Sequence, residues 1–250
     1  MMKIDILTLF PEMCEAVFSE SIIGRAKSAG IISVEAHNIR DFANNKHNRV
    51  DDAPYGGGMG MIMSAQPIND CIKAVIGDDA QKPRVIYLSP KGKTFDQKKA
   101  IELSKLDRIV LLCGHYEGVD ERVLEKCVDE EISLGDFVLT GGEIAAVAVA
   151  DAVCRMLPGV LSEDICFEDE SHFDGLLEYP QYTRPAVWHG REIPQILTSG
   201  NHEKVRQWRR KQSLRRTKAR RPDMYEKLDL SSKQDKKLLK EMEEEDKGAV

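Results

Sequence analysis

The sequence predicts an α/β protein with a mostly parallel sheet, because strand patterns and helix patterns alternate along its amino-terminal part. Short apolar runs at residues 31–38, 84–89 and 109–113 have the length and composition of strands. Segments with apolar residues three or four positions apart lie between such runs, and this spacing is typical of helices packed on a sheet. Strands joined through helices are usually parallel.

The amino-terminal segment predicts one further strand and three helices around a glycine-rich loop. Residues 3–10 alternate and then run apolar, which predicts a strand, and Pro11 suits the first position of the helix after it. Residues 50–63 are glycine-rich and irregular. Helices are expected over residues 66–75 and 95–106, so the two later strands are each preceded by a helix.

One predicted helix is apolar on nearly all sides. Residues 144–157 are rich in alanine and other apolar residues, so this helix should be buried, either in a core or between subunits. Thr140 and Glu143 form a capping-box pattern, which predicts Thr140 as the N-cap and Glu143 at the third helical position, N3. The polar members Asp151 and Arg155 are four residues apart and share one face.

Length and composition allow one large domain or two modest ones, with 42% hydrophobic residues among 250. The first ten residues lack the pattern of a signal peptide, and the longest apolar stretch, residues 144–153, is too short to span a bilayer. The six cysteines show no metal-binding spacing. We therefore expect free thiols, a cytoplasmic location and no membrane partner.

Positive charge is concentrated in residues 201–221, which hold ten Lys or Arg and one acidic residue, Glu203. The whole chain carries a formal charge of −6, so the remainder carries −15. Such a segment is typical of proteins that bind a nucleic-acid backbone, although a solvated helix face is the simpler alternative. Asn201 is expected to cap the helix and Pro222 to end it.

Two other segments are highly charged and lack clear periodicity. Residues 163–174 are acidic, which predicts a flexible linker between an α/β domain and a carboxyl-terminal part. The tail over residues 231–250 is expected to form a mixed-charge helix or a frayed end, with disorder over residues 241–246.

Three loops rich in Gly, Ser and Pro are candidates for a small-ligand site, at residues 88–92, 113–118 and 132–143. In open α/β sheets ligands bind beyond the carboxyl ends of strands, although tight turns are the simpler alternative. The sequence has no P-loop, dinucleotide fingerprint or Gly-x-Ser-x-Gly elbow, which argues against those classes of nucleotide-binding protein and hydrolase. Backbone groups in the loops would therefore hold the ligand.

Several strings in this chain resemble TrmD, the family of bacterial tRNA (guanine-N1-)-methyltransferases. They are YGGG at residues 55–58, CGHYEG at 113–118 and GLLEYPQYTRP at 175–185, with further matches at 135–143, 187–188 and 199–222. The resemblance covers nearly the whole chain in order. It implies S-adenosylmethionine as the methyl donor, tRNA as the substrate, and a homodimer with its active site at the subunit interface.

The same resemblance implies a domain organisation and a reaction. Residues 1–162 would form a SPOUT-class α/β domain that binds S-adenosylmethionine, with a trefoil knot in its carboxyl half. Residues 163–174 would be the flexible linker, and residues 175–250 a small all-helical domain that binds tRNA. The enzyme would transfer a methyl group to N1 of the guanosine 3′ to the anticodon, at position 37.

This reaction needs a base and a cation. Guanine N1 carries a proton that a carboxylate can remove, and a cationic group can stabilise the negative charge that develops on O6. The resemblance implies Arg155 as this cation and Glu117 as a residue near the donor and the target guanosine. The family usually has Asp-Ser-Phe in the linker, where this chain has Glu-Ser-His at residues 170–172. The base is therefore either Glu170 or Asp169.

The resemblance also assigns the ligand contacts. The donor site comprises Leu88, Ser89, Pro90, Gly114, Tyr116, Glu117, Ile132, Ser133, Leu134, Gly135, Phe137, Leu139, Gly141 and Gly142. The tRNA contacts comprise Arg184, Asn201, His202, Arg206, Arg209, Arg215 and Arg220. No metal ligands are assigned, although members of the family are associated with Mg²⁺.

This chain departs from the family at two further positions. Met59 stands where the family usually has Pro, so the loop over residues 54–61 is expected to be less rigid. His115 stands where Arg is common. Histidine could weaken a phosphate contact there or make it depend on pH.

Two other functions would explain part of the sequence. A non-catalytic RNA-binding protein would share the basic segment without binding S-adenosylmethionine. A SPOUT enzyme for ribosomal RNA would share the knot.

Overall fold

The computed structural model describes residues 1–78, 82–161 and 170–248. The chain divides into two compact units, Met1–Asp164 and Ile165–Val250, and each has an apolar core of its own. Asp169 and most of the expected linker over residues 163–174 lie outside the described residues. The mobility of that linker and the domain boundaries stay predictions.

A parallel sheet of five strands forms the centre of the first unit. The strands of this unit are β1 (Met2–Thr8), β2 (Ile32–Asn38), β3 (Asp51–Asp52), β4 (Ile62–Met63), β5 (Arg84–Thr94), β6 (Arg108–Cys113) and β7 (Glu130–Ser133). The parallel sheet has the order β2-β1-β6-β5-β7, while β3 and β4 form a separate antiparallel pair. The expectation of an α/β fold with a parallel sheet is therefore confirmed.

Helices cover both faces of this sheet. They are α1 (Pro11–Phe18), α2 (Ser21–Ser28), α3 (Ala65–Ile76), α4 (Gln97–Leu103), α5 (Glu121–Cys127) and α6 (Glu143–Cys154). On one face Ile4, Ile6 and Leu111 pack with residues of α1, α2, α4 and α6. On the other face Leu7 and Leu112 pack with residues of α3 and α5. Because both faces are buried, most side chains of the central strands β1 and β6 are apolar and inaccessible to water.

Two local expectations in this unit are wrong. The strand expected to end at residue 89 continues as the longer β5, with a register shift against β7. Gly92 permits this path, because a Cβ atom there would lie 2.5 Å from a backbone atom of β7. The N-cap of α6 is Gly142 rather than Thr140, because the Glu143 side chain turns inward to hydrogen-bond with Thr8.

The second unit is small and mainly helical. Its helices are α7 (His202–Arg220), α8 (Pro222–Tyr225) and α9 (Lys233–Gly248). The expectation of an all-helical domain is wrong in one respect, because β8 (Val187–Trp188) and β9 (Arg191–Glu192) form an antiparallel hairpin. Positive φ angles of 49° at His189 and 74° at Gly190 allow the two-residue turn between these strands.

The charged tail is ordered by packing and by ion pairs. Residues 241–246, expected to be disordered, belong to α9. Leu238 and Met242 of this helix are buried in the core of the second unit. Glu245 accepts hydrogen bonds from Lys211 and Arg215 of α7, both at 2.7 Å. Contacts with α7 therefore supply the stability that the tail lacks by itself.

Candidate active site

A cavity of about 320 Å³ lies where β6 and β7 end and beside residues 87–91 of β5, and the three segments predicted to hold a ligand form its walls. Every residue assigned to the donor site lines this cavity except Gly135, whose N–H and carbonyl both hydrogen-bond with the Ser133 hydroxyl. Residues not predicted as contacts complete the lining, namely Tyr87, Lys91, His115, Gly118, Val119, Val138, Thr140 and Ala145.

Glycine allows two of these loops to touch through their backbones. The Gly142 N–H donates to the Gly114 carbonyl at 3.0 Å, and His115 pairs with Gly141 in an antiparallel bridge. A Cβ atom at Gly142 would lie 2.6 Å from the Cα atom of Cys113. The absence of a side chain is therefore required here, and the contact holds the loop after β6 against the start of α6.

The cavity combines apolar walls with polar backbone groups. Leu88 and Ile132 are buried, while Phe137 is 55% exposed. Burial, with a smaller contribution from the negative charge of Glu131, raises the pKa of Tyr87 to about 12. The Tyr87 hydroxyl therefore stays protonated at neutral pH and can donate a hydrogen bond. Such a site suits a ligand with a flat apolar ring and a few polar atoms.

A buried carboxylate links three elements next to the cavity. Glu143, the first residue of α6, is 2% exposed. It accepts hydrogen bonds from the Thr8 hydroxyl at 2.5 Å and from His115 Nε2 at 2.7 Å. The Thr8 hydroxyl in turn accepts the Phe10 N–H at 2.9 Å. Local sequence patterns contain no signal for this network, because Thr8 and Glu143 are 135 residues apart.

Two of the predicted catalytic residues belong to the first unit. Glu117 lines the cavity and packs on Gly60, where a Cβ atom would lie 2.5 Å from Glu117 Cγ. Arg155 follows the last residue of α6, is half-buried, and donates its backbone N–H to the Asp151 carbonyl at 3.0 Å. Asp169, one of the two candidate bases, lies outside the described residues.

Glu170, the other candidate base, lines a second cavity of about 390 Å³ within the second unit. Tyr179 and Arg209 line the same cavity, and the Arg209 guanidinium lies 4.7 Å from the centre of the Tyr179 ring. The segment after Glu170 is anchored in its own unit. The Ser171 hydroxyl accepts a backbone N–H at 2.9 Å, and Asp174 accepts a hydrogen bond from α7 at 2.7 Å.

Helix α7 carries the basic segment and has the expected boundaries. Asn201 Oδ1 accepts the Lys204 N–H at 3.0 Å, so the predicted N-cap is confirmed. The helix ends before Pro222, as predicted. Arg184 and His202, both assigned to tRNA contacts, are exposed.

Acidic residues of the second unit neutralise part of α7. Arg210 donates to Asp174 at 2.7 Å, and Lys211 and Arg215 each donate to Glu245 at 2.7 Å. Such pairs compete with a phosphate group for the same cation. Three exposed cations of α7 form no ion pair with an acidic residue of the described part of the chain: Lys204, Lys218 and Arg220.

One cluster in the described residues has the composition of a metal site. Asp5, Glu35 and His37 place one possible ligand atom each within 4.8 Å of one another. Asp5 already contacts His37 at 2.7 Å and accepts from Arg108 Nε at 2.8 Å, so its charge is satisfied within the protein. The described residues that line the first cavity form no such cluster. A requirement for Mg²⁺ stays an expectation.

The fold and the first cavity define a class: an α/β protein with a small-ligand site at the carboxyl ends of parallel strands and a separate unit that carries a basic helix.

Residues 2–227 match the family described as tRNA (Guanine-1)-methyltransferase TrmD. A relative from Clostridium perfringens is 59% identical over 239 residues, which cover 96% of this chain and 99% of that protein. A relative from Ruminiclostridium cellulolyticum is 56% identical over 227 residues, which cover 91% of this chain and 97% of that protein. Both relatives are named tRNA (guanine-N(1)-)-methyltransferase.

The chain therefore belongs to the TrmD family, and the resemblance inferred from its motifs is confirmed. This is a family of methyltransferases, so the protein is an enzyme, and S-adenosylmethionine is the methyl donor that the family implies. The family also implies a SPOUT fold, which agrees with the parallel α/β sheet, while the trefoil knot stays a prediction. No helix in the described ranges is both long and apolar enough to cross a bilayer.

Proposed function

We propose that this protein transfers a methyl group from S-adenosylmethionine to N1 of the guanosine at position 37 of tRNA, just 3′ of the anticodon. The observation that carries the proposal is the cavity at the strand ends, which gathers the residues assigned to the donor in a chain of the TrmD family. The names of the relatives support guanine N1 as the target. The basic helix α7 supports an RNA substrate.

The residues of the first cavity fit the donor. Leu88, Ile132 and Leu134 offer an apolar surface to the adenine ring, and backbone groups of the glycine-rich loops offer hydrogen bonds to its edge and to the ribose. Glu117 offers negative charge to a cationic ligand. When bound, S-adenosylmethionine supplies an electrophilic methyl group on a positively charged sulfur. The cavity residues hold and orient it and exclude water.

A carboxylate near the start of the second unit acts as the base in this proposal. Guanine N1 becomes a good nucleophile only when its proton is removed, and Glu170 or Asp169 takes this role. The cavity that Glu170 shares with Arg206 and Arg209 supports Glu170, because guanidinium groups bind phosphates and base edges of RNA. The aspartate that the family usually has in this segment supports Asp169.

Arg155 stabilises the charge that develops on guanine O6 in this proposal. Its half-buried position after α6 supports the role, because a charge interaction is stronger where water is partly excluded. Glu117 contacts the donor or the target base from the cavity wall. Replacing Arg155 with alanine should therefore remove turnover while tRNA affinity is largely kept.

The proposed enzyme is a cytoplasmic homodimer with its active site at the subunit interface. Exposed apolar side chains at the loop after β7 and the start of α6 support this arrangement. Val138 is 81% exposed, and Phe137 and Ile144 are each 55% exposed. Clustered apolar surface of this kind marks an interaction site, and a second copy of the chain would cover it.

The proposed tRNA contacts come from the second unit, and they are Arg184, Asn201, His202, Arg206, Arg209, Arg215 and Arg220. These residues differ in how ready they are to bind a phosphate group. Arg220 is exposed at the end of α7, whereas Arg215 donates to Glu245 and Asp246. Arg215 would exchange these partners for RNA.

Methyl transfer from labelled S-adenosylmethionine to two unmodified tRNAs tests the proposal. One tRNA carries guanosine just 3′ of the anticodon and the other carries adenosine there. Label in the guanosine tRNA alone is expected. If neither tRNA is labelled although tRNA binding is intact, a non-catalytic RNA-binding protein is favoured. If a ribosomal RNA fragment is labelled instead, a SPOUT enzyme for ribosomal RNA is favoured. Asp169→Ala and Glu170→Ala assayed in parallel identify the base as the residue whose loss removes turnover.

A further inference from the structure

The buried Glu143 carboxylate has no part in the chemistry proposed above, yet it lies among the donor loops. Its Oε1 atom accepts from the Thr8 hydroxyl at 2.5 Å, and His115 Nε2 contacts Oε1 and Oε2 at 2.9 Å and 2.7 Å. Glu143 is 2% exposed and Thr8 is fully buried. A buried carboxylate is tolerated only when it is paired and hydrogen-bonded, so these contacts are needed for the loops to adopt this arrangement.

His115 is the basic side chain that contacts Glu143. Among the described side chains that hydrogen-bond to Glu143, His115 is the one that can carry a positive charge. Two described thiols, those of Cys14 and Cys113, also feel the charge of Glu143. Burial, with a smaller contribution from Glu143, raises the pKa of Cys14 to about 11 and raises the pKa of Cys113 well above its usual value. Both thiols therefore stay neutral. The His115 ring also packs against Phe10, with the ring centres 4.9 Å apart.

The network joins the end of β1 to two segments that line the donor cavity. Thr8 ends β1, His115 lies in the loop after β6, and Glu143 begins α6. His115 also lines the cavity and pairs through its backbone with Gly141. A change in the length of any of these contacts would move one cavity wall relative to the other, because the His115 ring packs on Gly141 and Gly142 packs on the backbone of Cys113.

We propose that Glu143 and Thr8 are positioning residues for the methyl donor: acting through His115, they set the separation of the two loops that line the cavity. The inference rests on the proposed function for the identity of the donor. Neither Glu143 nor Thr8 lines the cavity, so their effect on the donor is indirect. The hydroxyl of Thr8 is the element of the network that a substitution can remove with the least change in shape.

The test compares Thr8→Val, which removes the hydroxyl at nearly constant volume, with Thr8→Ser, which keeps it. Glu143→Gln is a second probe, because an amide keeps an acceptor for Thr8 but removes the charge that faces His115. Glu12→Gln is a matched control, since Glu12 is also in the first turn of a helix of this unit but is exposed. The readouts are the Kd for S-adenosylmethionine by calorimetry, KM and kcat with saturating tRNA, and the Kd for tRNA.

Thr8→Val and Glu143→Gln should each raise the Kd and the KM for S-adenosylmethionine about tenfold, which corresponds to the loss of one charge-assisted hydrogen bond. Thr8→Ser and Glu12→Gln should stay within about twofold of the parent protein, and the tRNA Kd should change in none of them. Equal donor affinity in Thr8→Val and Thr8→Ser, measured well below their Tm, would overturn the proposal. If Glu143→Gln does not fold, the two Thr8 variants still decide it.

These measurements also separate this inference from the proposed function. A parent protein that binds S-adenosylmethionine but methylates no tRNA would contradict the proposed function, while the Kd comparison would still test the role of Thr8. A parent protein that methylates the guanosine tRNA, with donor binding unchanged in Thr8→Val, would contradict the positioning role alone.

Discussion

Replacing Arg220 with alanine should weaken tRNA binding and reduce its salt dependence, whereas replacing Arg215 should do much less. Both arginines belong to α7 and both were assigned to tRNA contacts from the sequence. Arg220 is exposed, and within the described ranges it has no acidic partner. Arg215 donates to Glu245 at 2.7 Å and to Asp246 at 3.4 Å, so a phosphate group must displace two carboxylates.

The magnitude follows from the environment of each cation. An exposed cation about 4 Å from a phosphate gains about 1 kcal/mol in water, so Arg220→Ala should weaken binding about fivefold. The slope of log K against log salt should fall by about 0.7–0.9, the contribution of one phosphate contact. For Arg215→Ala the RNA contact replaces existing ion pairs, so we expect less than about a twofold loss of affinity.

Binding of a tRNA transcript measured by fluorescence anisotropy between about 50 and 200 mM KCl provides the test, because one phosphate contact changes the affinity about threefold over this range. The Kd for S-adenosylmethionine is the control and should not change in either variant, since the proposed donor and RNA sites lie in different units. Equal slope changes for the two variants would refute the argument from ion pairing. A loss of donor affinity would contradict the proposed division of sites.

Three further predictions concern the packing, the linker and the stability of the protein. Gly142→Ala should destabilise the protein by about 1–3 kcal/mol in urea unfolding, because its Cβ atom would lie 2.6 Å from the backbone of β6; unchanged stability would contradict the packing argument. Residues 163–174 should exchange amide hydrogens rapidly until tRNA and donor are both bound, except where the segment around Ser171 and Asp174 is hydrogen-bonded within the second unit, and strong protection of the other residues in the free protein would count against a mobile linker. Burial opposes ionisation of Asp5, but hydrogen bonds from His37 and Arg108 outweigh it and hold the pKa of Asp5 below its usual value. The stability that Asp5 contributes should therefore be present above about pH 4 and lost as the pH falls further, so Asp5→Asn should cost stability at pH 7 but progressively less in acid; a difference independent of pH would refute this.

The architecture of the first unit could be predicted because its cause is local. Buried strands such as β1 and β6 are rich in apolar residues, and helices such as α3 show one apolar face, so each element is visible in its own residues. The N-cap of α6 could not be predicted for the opposite reason. Glu143 fits a capping box by its spacing, but a hydroxyl 135 residues away hydrogen-bonds with its side chain in the interior.

In the second unit, too, contacts between residues distant in sequence could not be predicted, and the basic segment is the example. The sequence shows ten cations along residues 201–221 with one acidic residue among them, and this pattern favours a nucleic-acid-binding helix over a solvated one. The fold adds acidic residues from α9, a helix that the sequence only partly indicated. Because Glu245 pairs with Lys211 and Arg215, the surface ready to bind RNA is smaller than the charge count predicts.

The placement of the candidate catalytic residues constrains how the proposed reaction is controlled. Glu117 and Arg155 belong to the first unit with the donor cavity, whereas Glu170 belongs to the second unit with the basic helix. Ser171 and Asp174 hold the segment after Glu170 to that second unit. If Glu170 is the base, proton removal would depend on the second unit, to which the proposal also assigns tRNA binding. Under that proposal, the methyl group would be protected from transfer to other nucleophiles until RNA is engaged.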